Sequence, residues 1–194
     1  MSTTDATGVN WWMRNAGRLK TVFRLVLGLV WVIDGSLKFT SGYNSSFLSN
    51  VQASQQNAPS WLSGWYSFWV TQASNNPNLI VYTVGSLELL LGIALVLGLL
   101  RKVAYLAGIV LSLLIWAVPE GFGAPYGPNS GATDIGTGAI YAIAFLGLVV
   151  INSTYGPSRW SLDHLIERKF PRWASLAEFG GIRALRTSDA GAKT

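Results

Sequence analysis

Four stretches of the chain, residues 19–39, 79–100, 103–119 and 135–155, are almost continuously apolar. A run of roughly 20 apolar residues covers a hydrocarbon core of about 30 Å as a helix. The pattern therefore predicts an all-α membrane protein, with a four-transmembrane-helix bundle over residues 19–155. Residues 1–18 read as a polar tail whose Trp11, Trp12, Arg14 and Arg18 suit an interfacial anchor. Arg101 and Lys102 leave almost no loop between the second and third spans, so the chain must turn straight back there. Residues 156–194 read as a second tail with a basic amphipathic stretch at 161–179. In it, Leu162, Leu165 and Ile166 share a face, and Arg168, Lys169 and Arg172 are available to lipid headgroups.

Between the first and second spans the pattern changes. Residues 40–78 carry no charge and are rich in Ser, Asn, Gln and aromatics. Trp61, Trp65 and Trp69 recur every four residues, which predicts a stripe on one helical face. Such a helix can lie in the outer interface, where indole rings favour the headgroup level, or cap the bundle by packing. Residues 119–134 are a Gly/Pro-rich turn segment, after which Thr133 or Asp134 can cap the fourth span.

Composition agrees with a bilayer setting. Half of the 194 residues are hydrophobic and 12% are charged, against about 25% charged in soluble domains. The formal charge of +5 comes from basic residues at span ends, so topology explains it better than nucleic acid does. Arg14, Arg18, Lys20, Arg101, Lys102 and the tail arginines fall on one side, and the positive-inside rule then puts both termini in the cytoplasm. There is no cysteine and His164 is the single histidine, which excludes a disulfide, a thiol nucleophile and a bis-histidine haem; no metal site is expected.

The few polar groups inside the spans stand out, because a charge in hydrocarbon faces protein or water. Asp34 and Lys38 lie one helical turn apart near the end of the first span. Glu88 in the second span is flanked by Gly85 and Gly92, and Gly28 and Gly35 repeat at the same heptad spacing in the first. Small residues mark the side on which membrane helices approach closely. Along helices of 1.5 Å rise, Asp34 lies roughly 8 Å, Tyr141 about 10 Å and Glu88 roughly 14 Å below the outer end, with Glu120 and Asp134 at the mouth. Asp34, Lys38 and Glu88 are thus candidate catalytic residues; Trp31, Trp116, Glu120, Asp134 and Tyr141 are candidate pocket residues, and Trp61, Trp65 and Trp69 an interface. An apolar slot with hydrogen-bonding groups and a proton route suits a quinone. A purely structural polar network is the competing reading.

GLVWVIDGSLKF (residues 28–39), SLELLLGIALVLGL (86–99) and TDIGTGAIYAIAFLGLVV (133–150) resemble the first, second and fourth helices of the DoxX/DoxD family of small four-helix membrane proteins. The resemblance implies the membrane subunit of a thiosulfate:quinone oxidoreductase, which joins two thiosulfates into tetrathionate and passes electrons to quinone. It also implies a DoxA-like partner, expected here as a separate chain. Thiosulfate is a dianion and the outer side offers only Lys38 and backbone amides, so the anion site is expected largely on that partner. The alternative is a non-catalytic accessory subunit that anchors a larger respiratory complex; an oligomer is compatible with either.

Overall fold

The computed structural model describes residues 4–123, 135–155 and 160–179, with the backbone alone for 4–14 and 44. These residues form helices α1 (Thr4–Leu37), α2 (Tyr43–Asn57), α3 (Ser63–Asn75), α4 (Pro77–Leu97), α5 (Arg101–Ala117), α6 (Thr137–Tyr155), α7 (Leu162–Lys169) and α8 (Ala174–Ala177), with no strand among them. Asp134 and the turn segment 124–134 lie outside the described residues.

The long helices α1, α4, α5 and α6 pack side by side. Residue pairing shows that they run antiparallel to their neighbours: Gly28 of α1 meets Gly92 of α4, Gly35 meets Gly85, and Gly108 of α5 meets Phe145 of α6. The α1–α4 seam is close because it is lined by glycine on both sides. A Cβ on Gly92 would stand 2.7 Å from the Val32 backbone nitrogen, and one on Gly35 would stand 2.9 Å from that of Leu89. The core between the helices is Leu27, Trp31, Leu91, Leu95, Tyr105, Phe145 and Leu148. Outward faces are apolar too, as Val26, Leu90, Val110 and Ile143 illustrate.

Two of these helices are long and apolar enough to cross a membrane, α4 with mean hydropathy 2.2 and α6 with 1.7 over their most apolar windows. α5 has 17 residues, and α1 carries Lys20, Arg24 and Asp34 along its apolar part. Residues 4–18, the polar N-terminal stretch, are continuous with α1 as helix.

The uncharged segment forms two helices rather than one. Pro59 follows α2, and Trp61 sits in the short 3-10 turn Ser60–Leu62, so it lies off α3, which carries Trp65 and Trp69. The expected three-tryptophan stripe is therefore a pair, with ring centroids 5.7 Å apart. α2 and α3 cover one end of the bundle through Val51, Tyr66 and Ala73, which have no exposure. The Tyr66 hydroxyl donates to the Ala117 carbonyl at 2.9 Å, which ties this cap to the end of α5.

The opposite end is closed by the C-terminal segment. Gly98 (φ 65) ends α4 in the left-handed region, which glycine reaches at little cost. The Gly98 carbonyl then accepts from the Asp163 backbone N–H at 3.1 Å.

Candidate functional site

Lys38 follows the last turn of α1, where the carbonyl end of the helix dipole favours a cation. Its ammonium lies 2.6 Å from Glu88 Oε2 and 3.3 Å from Asp34 Oδ2, with the Tyr43 ring centroid 5.3 Å away. Glu88 is completely buried, and the Asp34 side chain is 40% exposed. Glycine makes this possible, because Gly35 and Gly85 meet across the seam and bring α1 and α4 close beside Glu88 and Lys38. The expected pair is a three-membered chain, with Lys38 as its centre and Glu88 as its nearest partner.

Asp34, Lys38 and Tyr43 open onto a cavity of about 370 Å³ beneath the α2–α3 cap. Tyr141 and Thr137 of α6, Glu120, Phe47, Asn50 and Trp69 add to its polar and aromatic border. Ile80, Val84, Leu111 and Ile115 make the rest apolar. Glu88 stands behind Lys38 and does not line the cavity.

Glu120 has a second task. Both of its carboxylate oxygens accept from the Gly138 N–H, at 2.9 and 3.2 Å, so it satisfies the first turn of α6. The capping expected of Thr133 or Asp134 lies outside the described residues, and Glu120 performs it from across the turn.

The other candidates separate. Trp31 is buried in the core against Tyr141 and Phe145, at 5.7 and 5.4 Å between ring centroids, and does not line the cavity. Its indole N–H and the Ser112 hydroxyl, both buried, have no hydrogen-bond partner among the described residues. Trp116 donates to the Ile135 carbonyl at 2.7 Å and borders a neighbouring cavity of about 400 Å³, together with Trp61 and Glu120. Trp69 borders the first cavity, whereas Trp65 donates to the Ala117 carbonyl and Trp61 is 79% exposed. Among the described residues no group of three or more His, Cys, Asp and Glu side chains is placed to hold a metal ion.

A second ionic centre escaped the sequence reading. Arg101, fully buried, binds Asp163 at 3.0 Å, Glu167 at 3.3 Å and Glu178. Asp163 also accepts from the backbone N–H groups of Leu100 and Arg101, at 2.8 and 2.9 Å, and so caps α5. Glu178 accepts from Asn152, which accepts from Lys20. Burial pushes the Glu167 carboxyl up to about 7 despite Arg101, and raises that of Glu178. The signal was the i, i+4 spacing of Asp163 and Glu167, an acidic face on a helix whose other sides are apolar and basic.

Comparison with known families matches residues 19–120, more than half of the chain, to DoxX. The chain belongs to the DoxX family. The matched region contains Asp34, Lys38, Glu88 and Glu120 and leaves out α6 and the Arg101-bound tail, α7 and α8. Family membership and the two spanning-length apolar helices make this a membrane protein of the DoxX class. Neither curated proteins nor solved structures give a significant match.

Proposed function

We propose that this DoxX protein is the membrane subunit of a thiosulfate:quinone oxidoreductase-like complex and that the Asp34–Lys38–Tyr141 cavity receives the quinone. The observation that carries this reading is the cavity itself, which is apolar in most of its lining, with Lys38 at one wall and the buried Glu88 paired to it from behind. In this reading α1, α4, α5 and α6 all cross the plasma membrane, both termini are cytoplasmic, and the cavity lies in the outer half. α1 and α5 then expose apolar faces to lipid while their charged groups turn inward.

A bound quinone would supply the electron acceptance. The Lys38 ammonium and the Tyr141 hydroxyl are two of the donors available to its carbonyl oxygens, with Tyr43, Asn50, Trp69 and Thr137 also on the lining. Asp34, at the cavity wall and partly exposed, can pass a proton from outside water, and Glu88 keeps Lys38 charged and in position. Thiosulfate fits this cavity poorly: Lys38 is already matched by two carboxylates, and Glu120 adds a third acid to the border. The dianion is therefore assigned to a DoxA-like partner.

The test is thiosulfate-dependent reduction of a quinone analogue by the purified chain with its partner. Asp34→Asn should lower turnover by about 10²–10⁴-fold if Asp34 relays the proton. No thiosulfate-dependent reduction in the presence of the partner overturns the assignment. An accessory role in a larger respiratory complex has one observation in its favour: Trp61 and Phe68 project from the cap with large exposed areas, and aromatics are enriched in protein interfaces.

A further inference from the structure

The tail helix α7 has two unlike sides. Asp163 and Glu167 turn inward onto Arg101, and Glu178 joins them from beyond α8. Leu165 stands two residues from Asp163 and two from Glu167, which places it on the opposite side of the helix. It is 57% exposed, and Trp160 and Phe170 beside the helix are 70% and 65% exposed. Arg168, Lys169 and Arg172 are exposed as well. Every acid of residues 160–179 is thus consumed by the inward contact, and the outward face is apolar and basic.

The level of this face is fixed by hydrogen bonds. The Asp163 N–H meets the Gly98 carbonyl just past the end of α4, and Arg24 donates to the Trp160 carbonyl at 2.9 Å. The segment therefore lies where the apolar surface of α4 stops. Lys102, which donates to the Ser175 carbonyl, adds another cation at the same level.

We infer that residues 160–176 form a lipid-binding skirt that docks Trp160, Leu165 and Phe170 into an anionic phospholipid leaflet, with Arg168, Lys169 and Arg172 on the headgroups. An apolar face flanked by arginine and lysine binds such a surface through buried area and charge together. The inference rests on α4 and α6 spanning a bilayer and not on any redox activity. The segment lies outside the region matched to DoxX.

The chain has no cysteine, so Leu165→Cys in the full-length protein gives a unique site for a nitroxide label. The labelled protein is reconstituted in vesicles of phosphatidylcholine and of phosphatidylcholine with phosphatidylglycerol. Its accessibility to oxygen is then compared with that to a water-soluble nickel chelate. In phosphatidylglycerol vesicles the label should favour oxygen several-fold more than in phosphatidylcholine. That excess should disappear in high salt and in the Arg168→Gln, Lys169→Gln, Arg172→Gln variant. The salt series needs no substitution, so misfolding of the variant cannot imitate the result. A label in water in both vesicles, or equally immersed in both, overturns the inference. So does a label shielded from both probes, which would assign the face to a second copy or a protein partner.

Discussion

The Lys38 ammonium lies 2.6 Å from Glu88 on the facing helix and 3.3 Å from Asp34 on its own. The nearer partner is the one without water, since Glu88 has no exposed surface. Lys38→Met would leave Glu88 buried without its counter-charge, and breaking a buried pair costs about 3–5 kcal/mol. Replacing both, Lys38→Met with Glu88→Leu, should recover most of that loss, whereas Lys38→Met with Asp34→Leu should not. Thermal unfolding in mild detergent separates the two double variants. Equal recovery by both would show that Asp34 matters as much as Glu88. A functional pair also requires the recovered Lys38–Glu88 double variant to assemble and yet remain inactive.

The glycine seam predicts an asymmetry among glycines. Gly92→Leu must push Val32 away and should cost about 1–3 kcal/mol by overpacking. Gly147→Ala, with nothing within 4 Å of the added carbon, should be neutral or slightly stabilising because alanine is the better helix former. Midpoints of thermal unfolding check both. A harmless Gly92→Leu would mean that α1 and α4 are not in close contact.

That seam was legible in the sequence, because glycines at heptad spacing on two apolar helices can mean close approach. That Glu88 turns toward the bundle followed from the same pattern, whereas its pairing with Lys38 of the first span needed the packed helices. Trp61 was misplaced because periodicity carries no notice of the break after Pro59, which starts a separate turn. Glu120 as the cap of α6 was not readable, since the contact spans 18 residues across a turn segment. The Arg101 centre was missed for a related reason. Asp163 and Glu167 on a short polar helix look solvated until the tail is folded back onto α5.

The tail should loosen as pH rises. The Glu167 carboxyl titrates at about 7 in the folded chain against an ordinary 4.5, chiefly because it is buried. Arg101 on α5 opposes that shift, and Glu178 and Asp163 reinforce it. With respect to this group the docked tail holds more protons than the released one, so the Glu167 contribution to docking is full below about 4.5 and is lost as pH rises through about 7. Limited proteolysis of residues 160–179 should accelerate over that interval, and Glu167→Gln should flatten the dependence. An unchanged slope in Glu167→Gln would move the effect to another group.

Arg101→Met should be worse than any single acid substitution at this centre. It would strand Asp163, Glu167 and Glu178 together and remove the side-chain contact that holds Asp163 over the start of α5. Loss of about 3–5 kcal/mol in unfolding, with early cleavage of the tail, is the expected outcome. A protease-resistant tail in Arg101→Met would show that apolar contacts hold it instead.

The most direct measurement is photo-crosslinking of an azidoquinone to the purified, reconstituted chain, with the modified residues located by mass spectrometry. If the cavity receives a quinone, labelling is saturable and competed by unmodified quinone. It falls on cavity residues such as Val84, Ile115 and Tyr141, and it weakens in Tyr141→Leu. Saturable labelling confined to the outer faces of α4 and α6, or no saturable labelling at all, would contradict it.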